Sequence, residues 1–320
     1  MKKINILYAL LLLMVIVACK KKQEIRIIPL PDINIIYDEN TYKPGTVIYG
    51  SKNYVKFIVG DLNCPIMLAS PHDGIISPPE VPIRSNSSAV TVRDLFCTDL
   101  ALKMADSVQK LTGLRPHVII NDLSRGKMEP NRAMADAYLT HPEMEIAWNE
   151  YHNFLRVARA MIKKNVGKGV YLDMHGHAHV KNRIEVGYLL NNNQLNSEDA
   201  SLDLLAFRSS VFAVGKVSTS KFSVLVNGDK AYGTLLANNA CPSVPSKQDP
   251  YPFEDEYFSG GYCTATYGSR NSNDNISAIQ LETPGPIIRD NETLRIASSG
   301  RMARATIQFM KLNYGLDLMK

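Results

Sequence analysis

The stretch Gly169-Val170-Tyr171-Leu172-Asp173-Met174 runs without a break into His175-Gly176-His177-Ala178-His179. Its first half is an apolar run of strand length, the pattern of a strand buried on both faces of a parallel sheet. Its second half is a polar cluster set down where that strand ends. Working outward, comparable runs occupy residues 65–69 (PIMLA), 117–120, 184–190 and 276–281 (ISAIQL), and residues 55–59 alternate. Helical spacings lie between them. Leu100, Met104, Val108 and Leu111 share one face, and Gly113 closes that helix. Tyr151, Leu155, Ala158 and Ile162 share another across residues 143–165, and residues 203–214 and 292–312 read as two more helices. Strands alternating with helices give an α/β fold with a central, largely parallel sheet covered on both faces. Such sheets bind ligands at the carboxyl ends of their strands.

Three of those ends are chemically rich. Ser70-Pro71-His72-Asp73-Gly74 follows the PIMLA strand, with Glu80 a little further on; Asp173 to His179 follows GVYL; and Glu282 ends the ISAIQL strand. Four of the seven histidines fall in these junctions. Histidines and carboxylates converging from separate strands are the donor set of a catalytic zinc, which takes about three protein ligands and keeps a position open. Residues two apart on an extended chain point the same way, so Asp173 is placed to support His175 from behind. The same residue could instead end the strand by accepting loop N–H groups. Spacing alone leaves open which of His175, His177 and His179 ligates. Residues 121–132 (NDLSRGKMEPNR) add a loop bearing Arg125, Lys127 and Arg132, a cation site suited to a carboxylate. His117, His141 and His152 read as structural.

The start of the chain carries an address. Lys2 and Lys3 precede an apolar run at residues 6–18, too short to span a bilayer and closing in Ile16-Val17-Ala18-Cys19. That closure resembles the lipobox of bacterial lipoproteins, in which the cysteine is acylated. Residues 1–18 are then a signal peptide, residues 19–45 a tether, and residues 46–320 a single domain. The expected location is the cell envelope, lipid-anchored through Cys19 to a bacterial membrane and facing the periplasm. Among the remaining cysteines, Cys241 and Cys263 bracket one loop-rich stretch and are the favoured disulfide pair, with four separate buried thiols as the alternative. With 36 Lys plus Arg against 31 Asp plus Glu, and no basic stripe interleaved with aromatics, the chain lacks a nucleic-acid footprint. A single long apolar run excludes a polytopic membrane protein.

Taken in order, SPHDG, the NDLSRGKMEPNR loop, AWNEYH, LDMHGHAH, RIEVGYLL and the late QLE resemble the N-formylglutamate amidohydrolase-like proteins, relatives of the zinc carboxypeptidases. The resemblance runs from about residue 64 to 285. It implies a three-layer αβα sandwich with a central mixed, largely parallel sheet, of the zinc-exopeptidase, phosphorylase/hydrolase-like kind. It also implies one Zn²⁺ held by His72 and His175. The family's ligand glutamate, three residues after the first histidine, is replaced here by Ile75. Glu80 is the substitute, with Asp73 and His177 as alternative ligands. By the same resemblance Glu282 is the general base, Arg125 polarises the scissile carbonyl, Asn131 and Arg132 grip a substrate carboxylate, and Glu185 either lines the pocket or forms a structural salt bridge. The expected activity is zinc-dependent hydrolysis of an amide in a small carboxylate-bearing substrate, such as an N-acyl amino acid, N-formylglutamate or a small peptide. Two other readings remain: an envelope lipoprotein that binds a metal or anion in the same cleft without turnover, and a serine hydrolase. The latter is disfavoured because no G-x-S-x-G elbow is present.

Overall fold

The computed structural model describes residues 37–86, 89–218, 220–270 and 274–320. The signal peptide, Cys19 and the first part of the tether lie outside the described residues. Eight strands form one mixed sheet in the order β1-β2-β4-β3-β5-β8-β6-β7. They are β1 (Val47–Tyr49), β2 (Val55–Ile58), β3 (Ile66–Ser70), β4 (His117–Asn121), β5 (Gly169–His177), β6 (Ile184–Gly187), β7 (Ser243–Val244) and β8 (Ile276–Pro284). β4, β3, β5 and β8 are mutually parallel at the centre, while β2 runs antiparallel to β4 and β6 antiparallel to β8.

The period-2 pleat sorts the strand residues onto two apolar layers. Ile66, Leu68, Val170 and Leu172 face α1 (Cys97–Thr112) and α3 (Glu292–Tyr314), whereas Met67, Ala69, Tyr171 and Ala278 face α2 (Pro142–Asn165). Each long helix supplies the stripe its spacing implies: Leu100, Met104 and Val108 on α1, and Tyr151, Leu155, Ala158 and Ile162 on α2. Gly113 ends α1 with φ of +79°, a left-handed conformation that costs a glycine nothing. The result is three layers, helix on sheet on helix.

Three sequence expectations are corrected. Residues 203–214 are not one helix but pieces at Asp199–Asp203, Ala206–Arg208 and Phe212–Val217. Ser209 breaks the run: its hydroxyl donates to Tyr188 O (3.0 Å) and accepts from Val211 N–H (3.2 Å), which ties the chain to the sheet instead of to a preceding turn. The GVYLDM strand extends to His177 because its whole length pairs with β8, register partners running from Gly169↔Ile276 to His177↔Pro284. Finally, Cys241 and Cys263 are not bridged. All four cysteines among the described residues are free and buried, and these two pack into different cores on opposite faces of the sheet.

Among the described residues no helix is long and apolar enough to cross a membrane.

Candidate active site

The parallel strands β3, β5 and β8 end side by side, and their carboxyl ends bring His72, His175 and Glu282 together. His72 lies just past β3, His175 is in β5, and Glu282 is its register partner in β8. The Nδ1 atoms of His72 and His175 are 3.1 Å apart. Asp94 completes a triangle: its Oδ2 is 3.2 Å from His72 Nδ1 and 3.3 Å from His175 Nδ1. All three residues are buried.

Behind each imidazole stands a carboxylate. His72 Nε2 meets Glu129 Oε1 in a short contact, and His175 Nε2 is 3.2 Å from Asp173 Oδ2. Glu129 is itself fixed by Asn131 N–H (3.0 Å) and by Arg125 Nε (2.7 Å). Arg125 also donates through Nη1 to Asp94 Oδ1 at 3.2 Å. Burial opposes ionisation of Asp94 and Glu129, but His72 beside both, with His175 on Asp94 and Arg125 on Glu129, holds each carboxyl well below its ordinary range. Burial likewise opposes a charged His175, yet Asp173, Asp94 and Glu282 raise its pKa well above the ordinary value.

These residues fit a zinc ion. A tetrahedral zinc with ligands at about 2.0–2.1 Å separates its donors by roughly 3.3 Å, which matches the three sides of the triangle. Each histidine offers one nitrogen inward and turns the other to a carboxylate, the arrangement that fixes tautomer and ring orientation in zinc sites. Four carboxylates (Asp94, Glu129, Asp173 and Glu282) crowd two imidazoles and one guanidinium, leaving the cluster short of positive charge.

Several sequence-derived candidates sit elsewhere. Glu80 is half-exposed on the surface, 3.9 Å from Lys52 Nζ, and Asp94, not Glu80, stands beside the two histidines. Asp73 is engaged in holding the start of α1. Its Oδ1 accepts Phe96 N–H (3.1 Å), its Oδ2 accepts Thr98 N–H (2.8 Å), and Arg93 pairs with it. His177 points away from the triangle, donating through Nε2 to Arg183 O at 2.9 Å. Glu185 does not line the cleft; it pairs with His179 Nδ1 (2.7 Å) and accepts Phe258 N–H (2.7 Å). Sequence reasoning missed Asp94 and Glu129. Glu129 had a local signal, its i,i+4 spacing from Arg125, whereas Asp94 had none.

The cleft above the triangle has a volume of about 370 Å³ and is lined by His72, Asp94, Arg125, Asn131, Arg132, His175, Phe258, Tyr262 and Glu282 among others. Arg132 is exposed at its edge, and Arg125 lies deeper, bound to its two carboxylates. Asn131 is fixed from both sides, accepting Cys263 N–H (2.8 Å) and donating to Gln280 Oε1 (3.3 Å). Gln280 in turn donates to Glu282 Oε1 at 2.8 Å, so this relay of amides sets the rotamer of Glu282. Glu282 Oε1 lies 4.0 Å from His175 Nδ1, and burial, opposed by His175 and reinforced by Asp94 and Glu185, lifts its carboxyl to about 7. A carboxylate poised there is matched to general-base work near neutral pH.

No family model matches the chain, and no curated protein matches it. Several solved structures are similar. The N-formylglutamate amidohydrolase of Ralstonia eutropha JMP134 is 11% identical with a TM-score of 0.47, over 85% of this chain and 99% of that one. A gene product of Agrobacterium tumefaciens is 11% identical with a TM-score of 0.45, over 79% and 94%. A candidate metallopeptidase of Shewanella denitrificans OS217 is 12% identical with a TM-score of 0.31, over 82% and 79%. Likeness at this level leaves metal and substrate to be argued from the residues of this chain.

Proposed function

We propose that the chain is a zinc-dependent hydrolase of an amide bond in a small substrate carrying a free carboxylate, of the N-formylglutamate amidohydrolase-like kind. The observation that carries this reading is the His72–Asp94–His175 triangle with Glu282 beside it. His72, Asp94 and His175 would hold one zinc. When bound, zinc supplies a Lewis acid that brings the pKa of a water ligand to around 7.

The chain's own residues supply the remaining functions. Glu282 accepts the proton of the attacking water and delivers it to the leaving nitrogen. Gln280, bonded to Glu282, keeps that carboxylate turned to the cleft. Arg132, the exposed cation at the rim, pairs with the substrate carboxylate, and Asn131 braces the wall from which it projects. Arg125 holds Asp94 and Glu129 in register, so its charge is directed first at one ligand carboxylate and one supporting carboxylate. A cleft of about 370 Å³ suits an N-acyl amino acid or a short peptide end rather than a folded protein. Acylation at Cys19 would hold the enzyme at a bacterial membrane, facing the periplasm.

The test is release of free amino acid from a panel of N-acyl amino acids, including N-formylglutamate, by the zinc-loaded chain. Turnover should stop on adding a chelator and return with zinc, and Arg132→Ala should raise KM with little change in kcat. A zinc-loaded chain that hydrolyses no member of the panel sinks the reading.

A further inference from the structure

A second group of metal-ligand side chains lies one strand beyond the cleft. His177 ends β5, His179 follows in the next loop, and Glu185 lies in β6, where it is the register partner of Glu282. The donor atoms of these three residues lie within 4.8 Å of one another. His179 Nδ1 is 2.7 Å from Glu185 Oε1, and His177 Nδ1 is 3.9 Å from the same oxygen. We propose that His177, His179 and Glu185 form a second divalent-cation site, taking zinc or a metal of similar preference for imidazole nitrogen and carboxylate oxygen.

Three features distinguish this group from an ordinary ion pair. First, His177 donates its Nε2–H to Arg183 O at 2.9 Å, which fixes the tautomer and leaves a lone pair on Nδ1 facing Glu185. A backbone carbonyl in that position is a usual partner of a metal-bound histidine. Second, Glu185 is buried, and its other oxygen accepts Phe258 N–H at 2.7 Å, so the carboxylate is held with Oε1 turned to the histidines. Third, the Phe258 ring packs on His179 with centroids 4.6 Å apart, shielding one side of the group from water. As it stands, His177 Nδ1 also accepts His179 N–H at 3.1 Å. A cation would displace that bond and the proton shared between His179 and Glu185. Two imidazoles and one carboxylate make a donor set that zinc accepts.

The site is separate from the first triangle and shares no ligand with it, so the proposal stands whether or not the hydrolytic reading does. Phe258 touches both, covering His179 on one side and lining the cleft on the other.

Zinc itself is the probe. The purified full chain, His179→Ala, Glu185→Gln and His72→Ala/His175→Ala are saturated with zinc, desalted, and counted for metal per chain by mass spectrometry of the elements. His179→Ala and Glu185→Gln should each hold one zinc fewer than the unaltered chain, while His72→Ala/His175→Ala keeps the equivalent they lose. Equal zinc in His179→Ala, Glu185→Gln and the unaltered chain overturns the proposal and leaves the first centre untouched. A measurement free of variants stands beside this one: crystals of the unaltered chain grown with excess zinc should show an anomalous-scattering peak between His177, His179 and Glu185. Its absence overturns the second site directly.

Discussion

Nδ1 of His72 and Nδ1 of His175 face each other across 3.1 Å, although their residues are more than a hundred positions apart in the chain. Two imidazole nitrogens at that distance repel unless a proton or a cation lies between them. Asp94 Oδ2, within 3.3 Å of both, supplies the negative charge that makes a cation the better occupant. Asp94→Asn keeps the shape and removes the charge. It should cost at least about tenfold in zinc affinity, since losing a ligand exceeds losing the partner that supports one. Glu80→Gln should cost nothing, because Glu80 sits on the surface near Lys52. A competition titration with a chromophoric chelator separates the two, and equal affinities would remove Asp94 from the ligand set.

Glu129 and Asp173 back the two imidazoles from outside the triangle. Glu129→Gln and Asp173→Asn should each weaken zinc binding by roughly 10- to 100-fold, as such supporting carboxylates do. Circular dichroism should show the sheet and helices retained. Unchanged zinc affinity in both variants would mean that the histidines are oriented by packing alone.

Glu282 works as a base only when ionised, and burial lifts its carboxyl to about 7. A zinc ion bound beside it would pull that value down, so turnover of the loaded chain should climb with pH on a limb at or below about 7. Glu282→Gln should lower kcat by roughly 10²- to 10⁴-fold across the pH range, the usual worth of a general base. Its zinc content should equal that of the unaltered chain. A Glu282→Gln chain whose kcat equals that of the unaltered chain assigns the proton transfer to another group.

The layered sheet was legible because its signals are local. Leu68 and Met67 fall on opposite faces by pleat alone, and Leu100, Met104 and Val108 share a helix face by spacing alone. His72, His175 and Glu282 were legible for a related reason: parallel strands deliver their last residues to one rim. Asp94 carries no such signal. It reaches the site because Asp73 grips Phe96 N–H and Thr98 N–H and thereby draws the segment before α1 across the mouth of β3. That is a tertiary event, and no periodicity encodes it. Glu80 misled through nearness in sequence to His72, although the intervening chain runs outward. The thiols of Cys241 and Cys263 misled in the same way, flanking one loop yet entering cores on opposite faces.

His117 and His152 carry a pH dependence that is independent of catalysis. His117 Nδ1 accepts Gly60 N–H at 3.0 Å, so it must be unprotonated in the fold. His152 is held between Tyr267 OH (2.7 Å) and Pro130 O (3.0 Å). Burial pushes His117 down to about 4, and burial together with Arg156 pushes His152 down to about 3, from an ordinary 6.5. Between those values and 6.5 the unfolded chain binds protons that the folded chain refuses, so stability is full above about 6.5 and is lost as pH falls. For His117 the loss between pH 6.5 and 5 is roughly 1.5 kcal/mol. His175, whose pKa is raised, acts in the opposite direction, but its contribution is common to all variants that retain it. Denaturant unfolding of the unaltered chain and of His117→Gln, whose amide oxygen can take the Gly60 bond, should differ in slope against pH by that amount. Identical slopes would show that His117 already titrates in the fold as it does in the unfolded chain.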